Sequence, residues 1–582
     1  MPQQNKRTWP RLVFLVVGAL AVLGIVVYLG TRPAPPPPTL QPTSLATFIA
    51  PPAATDVATA APTEASTQAP TRGFVEASAP VEVPTVDWAD VSVYKQAMKP
   101  AFAADVDQFV NGNRYLIAAT LTLDANATIS GAERVRYTNH TTDTLKDIVF
   151  RLYPNAPILD GKMKVHDVTV NGAAVSPNFT QEDSVMSVPL AEALAPGKSV
   201  ELTMSFELVM TGGLDVSYGR FGYKEDVVSG TAWYPTLSVY DAGSGWWTAE
   251  PDPKGDPAYT ETGLYDVRLT MPADLTVVMS GKEIETTTNA DGTVTHRGVT
   301  GPMRDHAFMA SKRYTVTSKD VDGTQVKVVH YKPSASDQGG LDATANVIKF
   351  ASDAVSTYNR IFGEYPYAEL NVVENPTPSG VEFPGLIQVA ENAWFIDQPY
   401  LEVIVSHEVA HQWFYAMVGN NQVALPWLDE SLASYVEIVY TREVYHSDAK
   451  TQAYILHFRA RYLHYVTARG GDVTLDLPVT AYDDEGYGAI VYGKGPLFYA
   501  KLETVLGIPT VYKALNTYFK RYKYAVVTTA DVEKTFEEVS GKDLSALFKQ
   551  WVTGKDALKD FATPEAAPTA TPSALSAEGV AF

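Results

Sequence analysis

Two histidines four positions apart, with a glutamate between them, mark where this chain can do chemistry: His407, Glu408 and His411 in "SHEVAHQWF". Histidine is scarce, with 10 in 582 residues, so the pairing asks for a cause. Positions i and i+4 of an α-helix share a face, and both imidazoles can then reach one ion. Nineteen positions after His411 comes Glu430, in "LPWLDESLASYVEIVY", at the start of the next amphipathic stretch. If those two helices pack antiparallel, Glu430 faces the histidine pair. Two imidazoles and one carboxylate leave the fourth corner of a tetrahedron open to water, the ligand set of a hydrolytic Zn2+ site. Zinc is preferred to other divalent ions on ligand type. Glu408 adjoins a ligand without being needed as one, so as general base it can take the proton of the attacking water and pass it to the leaving amine. The competing reading is a helix whose histidines only hydrogen-bond in the interior. Glu437, two helical turns beyond Glu430 on the same face, either orients a histidine from behind or is a surface carboxylate.

The elements that must hold these residues follow from the pattern of the chain. Between 86 and 333, short alternating stretches such as "SVELTMSFELVM" and "TQVKVVHYKP", broken by N-G and D-G turns, predict an antiparallel β-sheet domain. From Gly339 the period becomes helical, and helices are expected to begin near Tyr400, Asp429, Ser447, Gly495, Pro509, Thr529 and Asp543. With the short strand "AELNVVE" between, residues 334–556 read as an α+β domain. The chain opens differently. Residues 12–30 carry no charge, long enough for one transmembrane helix, with Lys6, Arg7 and Arg11 before it. That predicts a cytoplasmic 1–11 and an extracytoplasmic remainder at the cell membrane, a cleaved signal peptide being the alternative. Residues 31–85 and 557–582, rich in Pro, Ala and Thr, cannot bury enough apolar surface to order, and read as a disordered linker and tail.

Composition narrows the chemistry. A net charge of -21 excludes nucleic acid as a partner, since phosphate binding needs a basic surface. There is no cysteine, which removes disulfides, thiolate zinc sites and cysteine nucleophiles, and suits a bacterial exported protein.

H-E-x-x-H, an 18-residue gap and a glutamate within W-L-D-E resemble the gluzincin zinc aminopeptidases of the membrane alanyl aminopeptidase family. "VYGKGPLFY" is similar to that family's Y-x-K-G segment, which implies that Tyr492 hydrogen-bonds the oxyanion of the tetrahedral state. "SGVEFPGLIQV" resembles its G-x-M-E-N motif at Gly380 and Glu382, with Val381 in place of Met and Phe383 in place of Asn. The resemblance implies that Glu382 holds the free α-amine of a peptide substrate, which fixes the bond presented to the metal. "RDHAFMASKRY" resembles the strand closing the family's saddle-like β domain, with His306 in place of an aromatic. Glu250, in "WWTAEPDP", is a candidate for a second amine-binding carboxylate from that domain, the alternative being a solvated loop residue. The implied fold is a saddle-like β domain followed by a thermolysin-like peptidase domain, in a short form without the family's C-terminal helical domain and hence with a more open cleft. The implied activity is zinc-dependent hydrolysis of the N-terminal peptide bond. A zinc endopeptidase with the same ligands, and a non-catalytic binding protein on the same scaffold, are the other readings.

Overall fold

The computed structural model describes residues 83–561 apart from 212–213, 215–217, 333–342, 377–378 and 397. The helix expected at 12–30 lies outside these residues, as do most of the linker and the tail from 562. Among the described residues, no helix is long and apolar enough to cross a membrane.

The N-terminal region is built on an eight-stranded sheet. Its strands are β1 (Asn113–Leu123), β2 (Ala127–Thr138), β3 (Gly161–Val170), β4 (Ala173–Ala174), β5 (Ser199–Met210), β6 (Gly263–Pro272), β7 (Lys282–Thr288) and β8 (Thr293–Val299). They run in the order β7-β8-β6-β1-β2-β5-β3-β4. In β2 and β5 every second residue is buried, as a sheet with one face on a core requires. Antiparallel pairing is the rule here, but β1 and β6 run parallel, Asn113 opposite Gly263. The long chain between them is ample for the crossover a parallel pair needs. His306 is fully buried, its ring 6.0 Å from that of Trp233 and 6.3 Å from that of Tyr265. Burial pushes its pKa down to about 3, so it packs as a neutral aromatic.

The second region holds a five-stranded mixed sheet of β9 (Tyr314–Val321), β10 (Thr324–Tyr331), β11 (Glu369–Asn375), β12 (Gly380–Val381) and β13 (Leu386–Ala390), in the order β9-β10-β11-β13-β12. This moves one expected boundary. Alternation running to 333 assigns the hairpin β9–β10 to the first domain, yet β10 pairs in parallel with β11. Alternation marks a strand and one buried face, and tertiary pairing chooses the sheet it joins. The chain's far end also differs from the sequence expectation. Where structure is expected to stop at 557, Ala557–Asp560 form a 3-10 turn: Ala557 N–H donates to Asp472 and Trp551 Nε1 to Asp560. Composition cannot register two such hydrogen bonds.

The helices that matter for the site are α1 (Ala343–Ile361), α2 (Gln398–Ala410), α3 (Glu430–Tyr445), α4 (Asp448–Arg469), α5 (Asp484–Ala489) and α6 (Gly495–Leu506). Helix starts agree with the sequence expectation to within about two residues. Two local devices fix the site's frame. Asp429 caps α3, its Oδ1 accepting the N–H of Glu430 at 2.9 Å, so Glu430 is pinned in the first turn. Between α5 and α6 the chain makes a π-helical turn, Ile490–Lys494. Such turns insert an extra residue and re-aim the side chains they carry. Lys494 anchors this one: fully buried, it pairs with Asp472 at 3.0 Å and donates to Val473 O at 2.7 Å. Arg304 joins the two regions, its guanidinium donating to the carbonyls of Thr260, Tyr415 and Ala525.

Candidate metal centre and cleft

His407 and His411 project from the end of α2, and Glu430 from the start of α3. Their metal-facing atoms form a small triangle. His411 Nε2 lies 3.1 Å from His407 Nε2, and Glu430 Oε2 lies 3.2 Å from His407 Nε2 and 3.3 Å from His411 Nε2. A tetrahedral ion with bonds of about 2.0–2.1 Å has ligand–ligand edges of about 3.3 Å, so the triangle has the size of one face of such a site. The outer nitrogens decide the tautomers. His407 Nδ1–H donates to Glu437 Oε1 at 2.8 Å, and His411 Nδ1–H donates to the carbonyl of Phe414 at 3.2 Å. Both Nε2 atoms then carry lone pairs aimed at each other and at a carboxylate. Three electron-rich atoms converging at 3.1–3.3 Å repel unless a cation lies among them, so the donor set fits Zn2+. Glu437 is thus placed behind His407 and is buried.

Glu408 points from the same turn into the cleft. It is buried, and its Oε2 has no hydrogen-bond partner among the described residues. Burial pushes its pKa up to about 8, against the pull of His407 and His411. Gly380, on the edge strand β12, lies directly against it: a Cβ there would sit 2.1 Å from Glu408 Oε1. Glycine is what lets the strand approach the carboxyl this closely. Tyr492 rides on the π-helical turn, its ring nearly parallel to that of His407 at 6.2 Å. Burial, with Glu430 and Tyr487 close by, holds its hydroxyl well above the ordinary phenol range, so it stays a donor.

On the side of His411 lies a cluster of acids. Glu382 accepts from Gln422 Nε2 at 2.9 Å, and the other hydrogen of the same amide goes to Asp429 at 2.7 Å. Gln422 thereby ties Glu382 to the cap of α3. Carboxylate oxygens of Asp256, Glu382 and Glu430 lie within 4.8 Å of one another. Asp256 comes from the β-rich region and pairs with Arg220, whose side chain is largely but not fully buried. Burial alone would lower the pKa of Arg220, but Asp256 and Glu382 more than reverse this and raise it. Burial and the charge of Glu382 push the pKa of Asp256 well up, so acids this close stand charged together only beside a further cation. Glu250 is elsewhere: it is exposed and does not line the cleft. Asp256, six residues on, stands where the sequence puts Glu250. Both lie in an irregular stretch without periodicity, so no register in the sequence could separate them.

The cleft is a cavity of about 610 Å³ running from Asp256 and Glu382 past the metal-facing triangle to Tyr454 and Arg461 on α4. Known proteins resemble this chain in sequence and in fold. Residues 340–551 match the model of the Peptidase family M1 domain. The puromycin-sensitive aminopeptidase of Caenorhabditis elegans is 26% identical over 322 residues, covering 51% of this chain and 32% of that protein. Aminopeptidase N of Lactococcus lactis subsp. cremoris is 31% identical over 165 residues, 28% of this chain and 19% of the other. The chain thus spans about a third or less of the length of these curated relatives. Among solved structures, an M1 zinc metallopeptidase from Deinococcus radiodurans superposes with a TM-score of 0.57 at 18% identity, covering 76% of this chain and 93% of that one. A mutant of the same enzyme bound to a Tyr-Ser-Ala substrate gives 0.59 at 18% identity, over 77% and 95%. The likeness to these structures is one of fold, and the sequence match to the Peptidase family M1 domain takes in His407, Glu408, His411 and Glu430.

Proposed function

We propose that the protein is a zinc-dependent aminopeptidase that releases the N-terminal residue of peptides. One observation carries the reading: two imidazole lone pairs and a carboxylate converge at metal-ligand spacing, beside a buried acid cluster suited to an ammonium group. Held by His407, His411 and Glu430, Zn2+ would supply Lewis acidity to the attacking water and to the scissile carbonyl. The chain's own residues do the rest. Glu382, steered by Gln422 and seconded by Asp256, binds the α-ammonium, so register is counted from the peptide's first residue. Glu408 takes a proton from the water as its oxygen bonds the carbonyl carbon, then delivers that proton to the leaving amine as the C–N bond breaks. Tyr492 donates its hydroxyl hydrogen to the carbonyl oxygen as charge gathers there. Glu437 holds His407 in the tautomer that presents Nε2.

The amine-counting step is tested with an amino-acyl arylamide and its N-acetylated form. Hydrolysis of the free amine, with the acetylated compound at least about 100-fold slower, is the expected result, since blocking removes the charge that a buried carboxylate pairs with. Equal rates would make the protein an endopeptidase on the same metal site. The reading extends to place. The uncharged stretch 12–30, with basic residues before it and a Pro-rich linker behind, supports a membrane anchor that holds the peptidase outside the cytoplasm.

A further inference from the structure

The acid cluster explains how one end of a peptide is read; the opposite end of the cleft carries a cation. Helix α4 presents Tyr454, Phe458 and Arg461 to the cavity, spaced i, i+4 and i+7 and therefore on one helical face. Tyr454 and Phe458 make an apolar wall, and Arg461 closes it. The Arg461 guanidinium lies 5.9 Å from the ring of Tyr492, which lies 6.2 Å from the ring of His407. Tyr492 and Glu437 act on it, and both stand by His407, whereas Glu382 groups with His411 on the amine side. Room for it is built in: a Cβ on Gly488 would sit 2.3 Å from Arg461 Nη2. The two other basic side chains of the cleft belong to the amine side, Arg220 beside Asp256 and Lys254 beside Asp252.

A guanidinium facing a cleft is a fork for a carboxylate. An extended chain advances about 3.5 Å per residue, so a C-terminal carboxylate one or two residues beyond the scissile bond has the reach to meet a cation that lies past Tyr492. A cavity of about 610 Å³ has room for a di- or tripeptide. We propose that Arg461 receives the C-terminal carboxylate of the substrate, so that this site acts on di- and tripeptides with both ends free. This rests on the aminopeptidase reading, which supplies the register at the other end.

The test compares a tripeptide with its C-terminal amide, by kcat/KM in the zinc-loaded protein and by calorimetric binding to zinc-loaded Glu408→Gln protein. The acid is expected to be favoured by about 10- to 100-fold in both, the weight of one charge-assisted contact. Arg461→Gln should bring the ratio close to one, and Arg461→Lys should keep part of it. A residue that only positioned Tyr492 would change both rates and leave the ratio alone. If acid and amide are cleaved equally by the wild type, or if Arg461→Gln keeps the preference, the proposal is overturned while the aminopeptidase stands. If the free-amine arylamide is not cleaved either, both fall.

Discussion

Glu408→Gln protein should keep its zinc and lose about 10²–10⁴-fold in kcat, the range over which a positioned general base contributes. The substitution is close to isosteric, and it removes the proton-accepting oxygen while leaving His407, His411 and Glu430 untouched. It should not unfold the protein. Burial already disfavours the charged carboxylate in the metal-free site, pushing its pKa up to about 8, so a neutral amide adds no new penalty there. Kinetics on an amino-acyl arylamide, with metal content measured on the same sample, check this. A variant with unaltered kcat would mean that the proton goes elsewhere, and the role of Glu408 would have to be abandoned.

His411→Ala should have the opposite profile, losing the metal and with it all measurable hydrolysis. His411 is 1% exposed and supplies one of the three ligand atoms. Losing a partner from behind a ligand, as in Glu437→Gln, typically costs about 10–100-fold in metal affinity. Losing the ligand itself should cost more than that. Titration with a zinc chelator orders the three proteins: wild type above Glu437→Gln, and His411→Ala last. Should His411→Ala hold zinc as tightly as the wild type, the triangle of Nε2, Nε2 and Oε2 is not the site.

What the sequence disclosed and what it hid have different physical causes. The ligands were legible because helical spacing is a fixed ruler: His407 and His411 had to share a face, and the Asp429 cap had to put Glu430 at a helix start. Tyr492, Gly380 and Glu382 were reached only through resemblance to a family, since nothing in spacing sets one tyrosine apart. Their settings, a π-helical turn and an edge strand against Glu408, are tertiary facts. Asp256 and Arg220 come from irregular chain, where no period exists to say which carboxylate turns inward. Arg461 is the instructive case. Its face on α4 was open to the same helical arithmetic as the ligands, yet which face meets the cleft depends on how α4 packs, and that no window of sequence contains.

The chemistry depends on a single divalent ion held between the end of α2 and the start of α3. Zinc K-edge absorption on the purified, zinc-loaded protein measures it directly. The expected result is one zinc per chain, with two imidazole nitrogens at about 2.0–2.1 Å, one carboxylate oxygen and one further light atom. Folded protein that takes up no zinc, or a metal surrounded by water alone, would contradict it.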